Sequence, residues 1–80
     1  MATHNLKNVS LKLFRQYLTH KGLKCIRVKG GHEIWGGKEV QRPIVLQTHI
    51  DPIPEFIIRN SLRTLGVNAE DFYKYKHEIN

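Results

Sequence analysis

The fold of this chain is decided by the stretch Leu23-Lys24-Cys25-Ile26-Arg27-Val28-Lys29-Gly30-Gly31-His32-Glu33-Ile34-Trp35-Gly36-Gly37. Apolar and polar residues alternate in its first half, which is typical of a half-buried strand whose odd-numbered residues from Cys25 to Lys29 share one face. Each glycine pair can supply the positive φ angles of a tight hairpin turn. The stretch therefore predicts two strands, 23–29 and 32–35, with a turn at Gly30-Gly31 and another at Gly36-Gly37.

The register of the first hairpin stays open at this point. A two-residue turn places Val28 opposite Glu33 and groups His32 with Ile34. A three-residue loop with a bulge changes which of these side chains faces the core.

A third strand is predicted at 39–47, with the apolar residues 44–46 at its centre. Pro43 has no N–H to donate to a neighbouring strand, which favours a sheet edge or a strand start at that position. The three strands together predict an antiparallel meander.

A first helix is predicted at 9–21, before the strands. Asn8 or Ser10 can cap its N-terminus, and Gly22 occupies the place of a left-handed residue at its C-terminus. Its apolar residues recur at helical spacing and form one buried side: Val9, Leu13, Phe14, Tyr17 and Leu18.

Two helices are predicted after the strands. The first runs from Pro54 to about residue 65 and ends at Gly66. Its inward side chains are Phe56 or Ile57, Ile58, Leu62 and Leu65. Asn68 caps a short final helix, which places Phe72, Tyr75 and Ile79 on one side.

The predicted fold is a single α+β domain over 1–80, with a core at about 8–66 and a C-terminal helical extension at 68–79. Residues 1–7 are expected to be a tail or a loose first turn. The order α-β-β-β-α, with helices on one face of a three-stranded antiparallel sheet, is similar to that of double-stranded-RNA-binding domains.

Composition favours a polyanionic partner. The chain has 80 residues, with 13 Lys and Arg against 7 Asp and Glu, and a net charge of +6. All of the excess lies before residue 51, and a basic face on a small domain favours nucleic acid over other partners. A solvated surface is the simpler alternative.

The single Cys25 excludes an internal disulfide and is expected to be a buried, unreactive thiol, which fits a cytoplasmic protein without a membrane segment.

The histidines lack the spacing of a metal site, so neither a metal nor a cofactor is expected. They are His4, His20, His32, His49 and His77. His32 follows the glycine turn and has Arg27, Lys29 and Lys38 nearby in sequence. An imidazole can take the proton of an RNA 2′-hydroxyl at cellular pH, and cations can stabilise the phosphorane charge. By themselves these features are more often those of a surface histidine beside a glycine turn.

Residues 27–35 resemble the signature of HicA toxins, in which a strand runs into Gly-Ser-His, followed by an apolar and an aromatic residue. The resemblance continues through residues 42–46, His49 and residues 58–66, and spans about 10–72. It implies that His32 is the catalytic histidine of an mRNA-cleaving toxin that a HicB-type antitoxin neutralises. Gly31 departs from the pattern because serine is more usual there, and the segment after Gly66 is longer than in the shortest members.

The resulting prediction is a metal-independent endoribonuclease of the HicA type that is monomeric when free, with mRNA and a HicB-type antitoxin as partners. Its expected RNA-contacting residues are Lys24, Arg27, Lys29, Gly30, Gly31 and Lys38. Trp35 is expected in the core or at the antitoxin interface, and His49 is expected to be a loop histidine. The alternatives are a non-catalytic module that binds double-stranded RNA, and an interaction domain that docks an acidic protein.

Overall fold

The computed structural model describes residues 6–78, so His4 and Ile79 lie outside the described residues. Its elements follow in the order α1 (Leu11–His20), β1 (Lys24–Lys29), β2 (His32–Gly36), β3 (Ile44–Gln47), α2 (Glu55–Leu65) and α3 (Ala69–Glu78). The strands form one antiparallel sheet in the order β1-β2-β3. The predicted α+β class and three-stranded antiparallel meander are therefore confirmed.

Helix α1 begins two residues later than predicted. The Ser10 hydroxyl caps it by accepting a hydrogen bond of 3.0 Å from the backbone N–H of Leu13. Val9 is excluded from the helix because its carbonyl accepts from the backbone N–H of Ile53 at 2.8 Å, in an isolated antiparallel bridge. Gly22, at φ +93°, follows the helix with the positive φ that the sequence predicted.

The helices pack on one face of the sheet around a continuous apolar core. Leu6, which was expected in a tail, is fully buried there, and Leu11 takes an inward position where Leu13 is only half-buried. The core consists of Leu6, Val9, Leu11, Phe14, Tyr17, Leu18, Leu23, Trp35, Ile44, Leu46, Ile53, Ile58, Leu62 and Phe72. Trp35 is thus a core residue.

Helix α3 contributes to this core. The Phe72 ring is fully buried and meets Phe14 edge-on, with 5.6 Å between the ring centroids. The Tyr17 hydroxyl donates to a carboxylate oxygen of Asp71 at 2.5 Å, and Lys21 forms an ion pair with the same oxygen at 3.0 Å. Burial and the carboxylate raise the pKa of Tyr17. An apolar contact and a polar contact therefore both join α1 to α3.

The first hairpin has a two-residue turn. Lys29 pairs with His32 and Val28 with Glu33, so only Gly30 and Gly31 connect the strands. Their φ angles are +57° and +80°, which glycine adopts without steric cost. Of the two registers that the sequence left open, this is the one that groups His32 with Ile34.

Strand β1 departs from simple alternation. Cys25 pairs with Trp35, whereas Arg27 pairs with Ile34, because the ladder shifts by one residue at Ile26. Cross-strand partners share a face, so Cys25 and Arg27 lie on opposite faces, and the predicted grouping of Cys25 with Arg27 and Lys29 is wrong. The prediction of a buried thiol is also wrong, since Cys25 is exposed on an edge strand.

The second connection between strands is longer than a tight hairpin. Gly36 belongs to β2, neither Gly36 nor Gly37 has a positive φ, and β3 begins only after Pro43. A Cβ on Gly37 would lie 3.1 Å from the carbonyl oxygen of Gly22, so the backbones approach closely there. The segment between Gly37 and Pro43 is therefore a loop, and the predicted strand 39–47 is confirmed only at its end.

The end of α2 and the start of α3 are where the sequence predicted. Gly66, at φ +75°, terminates α2, and the Asn68 side chain accepts from the backbone N–H of Asp71 at 3.0 Å. Ile57 is half-buried, whereas Phe56 is 64% exposed. Among residues 6–78, no helix has the length and apolar character needed to cross a membrane.

Candidate functional site

The two faces of β2 differ in what surrounds them. Glu33 and Trp35 lie on the face covered by the helices and are buried. His32 lies on the opposite, open face and is exposed, and Ile34 beside it is half-buried. The two-residue turn is what places His32 on the open face.

The buried carboxylate on the core face is fully partnered. The Arg15 guanidinium donates to both oxygens of Glu33, from Nε to Oε1 at 3.1 Å and from Nη2 to Oε2. The Trp35 indole N–H donates to Oε1 at 3.0 Å. The hydrogen bonds from Arg15 lower the pKa of Glu33, and burial opposes that effect only in part. Glu33 is therefore held as a structural anion.

His32 stands between two polar neighbours on the open face. Lys29 is its cross-strand partner on β1, and Gln47 is its partner on β3. The next pairs along the sheet bring Arg27 beside Ile34 and Val45 beside Ile34. An imidazole, an ammonium, a guanidinium and an amide thus share one exposed surface.

Four of the six predicted RNA-contacting residues lie close to His32. Gly30 and Gly31 precede it directly, Lys29 pairs with it, and Arg27 lies on the same face. The other two lie elsewhere. Lys24 pairs with Gly36, roughly 13 Å from His32 along β2 at ~3.3 Å per residue, and Lys38 follows that same end of the strand. The structure therefore does not bring Lys24 and Lys38 together with His32.

The cations on this surface lack a carboxylate partner within the described residues, unlike Arg15, Lys21 and Arg59. Within residues 6–78, ion pairs join Arg15 to Glu33, Lys21 to Asp71 and Arg59 to Glu55. In the same part of the chain, no carboxylate lies within ion-pair distance of Arg27 or Lys29. Their charge is available to a polyanion, because no internal partner has to be displaced.

Two further residues at this surface were not predicted from the sequence. Gln47 neighbours His32, and Thr48 donates to the carbonyl oxygen of Gly31 from its backbone N–H at 2.8 Å and from its hydroxyl at 3.1 Å. In a meander, the last residue of β3 faces the first residue of β2, so the predicted strand end at residue 47 was the available signal. These contacts bind the end of β3 to the glycine turn.

An apolar groove of about 200 Å³ lies beside Gln47 and Val45 on β3. Side chains of β3, the following loop and the start of α2 line it, including Ile50 and Phe56. The site thus has a cationic side on β1 and an apolar side towards α2. In the described part of the chain, no three His, Cys, Asp or Glu side chains are grouped so that they could hold a metal ion.

Comparison with known proteins identified no relative of this chain. No family model, no curated protein and no solved structure matches the chain. A function for the chain therefore has to be inferred from the pattern of its own residues and from the geometry around His32.

Proposed function

We propose that this chain is an endoribonuclease that cleaves mRNA without a metal ion, and that it acts as the toxin of a HicA-type toxin–antitoxin pair. One observation carries the proposal: His32 is exposed on the open face of the sheet, with the cation Lys29 directly across from it and a two-glycine turn directly before it. The HicA-like pattern of residues 27–35 coincides with this hairpin.

The chemistry requires little beyond these groups. RNA carries its own nucleophile, the 2′-hydroxyl next to each phosphodiester, and His32 transfers a proton in the cleavage step as general base or general acid. Lys29 and Arg27 stabilise the negative charge that builds up on the phosphate oxygens. Gly30, beside which nothing lies within 4 Å of a Cβ position, leaves room for the RNA backbone to approach the turn.

The proposed partners follow from the same surface. An RNA strand contacts the open face through Arg27, Lys29 and the glycine turn, and a HicB-type antitoxin inhibits the toxin by covering His32. The order α1-β1-β2-β3-α2, with helices on one sheet face, also supports a likeness to double-stranded-RNA-binding domains. Fold likeness is a weaker support than the position of His32.

The test is incubation of purified protein with a long RNA in EDTA, beside a His32→Ala variant. Wild type is expected to cleave, and H32A is expected to be at least ~100-fold slower, the usual effect of removing a general acid or base. The variant should unfold at the temperature of wild type, because His32 is exposed and has no core contact. Undiminished cleavage by folded H32A would exclude the proposed role of His32.

A second candidate, a module that binds double-stranded RNA without cleaving it, is favoured by the unpaired cations of β1. Such a module grips phosphates and 2′-hydroxyls, so its affinity falls with salt and survives the H32A change. Absence of cleavage by folded wild type, together with salt-sensitive binding of duplex RNA, would establish this candidate instead.

A further inference from the structure

The side chain of His49 lies against the glycine turn that precedes His32. A Cβ built on Gly31 would collide with Nε2 of His49, and would lie 3.0 Å from both Cδ2 and Cε1 of the ring. The same construction on Gly30 meets nothing within 4 Å. The imidazole of His49 therefore occupies the space that a side chain at position 31 would take, and only glycine at that position allows this approach.

His49 is held there by the contacts between β3 and the turn. Thr48 binds the Gly31 carbonyl oxygen with both its backbone N–H and its hydroxyl. The Thr48 hydroxyl oxygen also lies 3.5 Å from Nδ1 of His49. Nε2 of His49 has no hydrogen-bond partner within residues 6–78, and the residue is exposed. Nδ1 thus faces Thr48 and Nε2 lies against Gly31, so the ring is held beside the turn that precedes His32.

The two histidines lie close to the same glycine turn. Consecutive Cα atoms are ~3.8 Å apart, so the carbon atoms of the His49 ring that approach Gly31 lie within roughly 8 Å of the Cα of His32. Both side chains are exposed at the same end of the sheet.

We propose that His49 is the second proton-transfer group of this site and works with His32 as an acid–base pair. This inference rests on the proposed ribonuclease function. One imidazole accepts the proton of the 2′-hydroxyl while the 2′-oxygen forms a bond to phosphorus. The bond from phosphorus to the 5′-oxygen breaks, and the other imidazole, in its protonated form, gives its proton to that oxygen. The products are a 2′,3′-cyclic phosphate and a 5′-hydroxyl, and the step consumes no water.

The experiment compares two RNA oligonucleotides that differ at one cleavage site. One has the ordinary 5′-oxygen, and the other has a bridging sulfur in its place, which leaves as a thiolate and needs no proton. Single-turnover cleavage is measured in EDTA for wild type, H32A, H49A and a control, His77→Ala. His77 is an exposed histidine of α3 whose ring contacts Tyr73, so H77A should cleave like wild type.

On the ordinary RNA, H32A and H49A are each expected to be at least ~100-fold slower than wild type. The sulfur substrate should restore fast cleavage to one of the two variants, the one that lacks the general acid, and leave the other slow. A merely structural role for His49 would not respond to the leaving group. Thermal unfolding of each variant confirms that it is folded.

The outcomes that contradict the inference are distinct from those that contradict the proposed function. If wild type cleaves and H49A cleaves equally fast, or if the sulfur substrate rescues both variants or neither, the acid–base pair is excluded while the ribonuclease stands. If folded wild type cleaves neither RNA, the ribonuclease itself is excluded, and the inference falls with it.

Discussion

The two faces of β2 use charge in opposite ways. On the core face, the Glu33 carboxylate is buried and is bound by Arg15 and Trp35. On the open face, His32 and Lys29 are exposed, and no carboxylate of residues 6–78 pairs with Lys29. A buried charge needs fixed partners because desolvation is costly, whereas a charge that is to meet a ligand is better left unpaired. The five residues of β2 thus present one face that stabilises the core and an opposite face whose charge can meet a ligand.

The largest expected effect is the loss of stability on truncating a core-face residue of β3, where neighbouring apolar residues lie on opposite faces of the sheet. Leu46 is fully buried on the core face, and Val45 is 41% exposed on the open face. Leu46→Ala should lower the free energy of unfolding by ~2–5 kcal/mol through lost burial and a cavity. Val45→Ala should lower it by less than ~1 kcal/mol because less apolar area is buried there. Urea unfolding measures both.

Equal losses for L46A and V45A would contradict the comparison. Such a result would mean that the face bearing Val45 is packed in solution as tightly as the core, and that His32 is covered with it.

A smaller effect is expected from the buried ion pair as the pH falls. The hydrogen bonds of Arg15 hold the pKa of Glu33 below its ordinary value of 4.5. The unfolded chain then binds a proton more readily than the native protein, so the stabilisation is fully present above about pH 4.5 and is lost as the pH falls through the native pKa. Glu33→Gln removes this titration, so the free energy of unfolding should fall by roughly 1 kcal/mol less between neutral and acidic pH than in wild type. The effect is modest because Arg15 is partly exposed to solvent, which weakens the ion pair.

The measurement is the free energy of unfolding from pH 7 to pH 3 for wild type and E33Q. Asp71 provides a comparison, because the Tyr17 hydroxyl and Lys21 also lower the pKa of its carboxyl. Asp71→Asn should also reduce the loss of unfolding free energy at acidic pH, independently of E33Q. The free energy of unfolding of the double variant should depend on pH less than that of either single variant. An E33Q profile parallel to that of wild type would show that the pair does not stabilise the fold through ionisation.

Local signals in the sequence predicted much of the fold. The ends of the helices follow from Ser10, Gly66 and Asn68, whose side chains or backbone freedom act within a few residues. The shift at Ile26 and the short β3 could not be predicted, because both depend on contacts between distant segments. The loop before β3, for example, arises where Gly37 packs against the carbonyl of Gly22.

The candidate site was predictable only in part, for the same reason. His32 is identified by its position after the glycine turn, which is local. Its neighbour Gln47 depends on the register between β2 and β3. The approach of His49 to Gly31 depends on the path of the chain after β3, which Thr48 fixes by binding the turn carbonyl. Lys38 is near His32 in sequence but not in the fold, because β2 runs from His32 to Gly36 before Lys38 follows.

The smallest expected effect concerns the salt dependence of RNA binding and leaves stability unchanged. Lys29→Gln and Arg27→Gln each remove a cation of the open face that has no carboxylate partner within residues 6–78. If each cation contacts an RNA phosphate, each change should reduce the slope of log K against log salt by ~0.7 for single-stranded RNA, through lost counterion release. Binding is measured in the H32A background, so that the RNA stays intact.

The matched control is Arg59→Gln on α2. It removes the same charge as R27Q, but Arg59 is paired with Glu55 at 2.7 Å, so its charge is already balanced locally. R59Q should therefore leave the slope close to that of the parent protein, whereas a general loss of net charge would change all three variants alike. A slope lowered by R59Q as much as by K29Q would place the RNA elsewhere than on the open face. A slope lowered only by K29Q and R27Q would identify the face that carries His32 as the one that meets the phosphates.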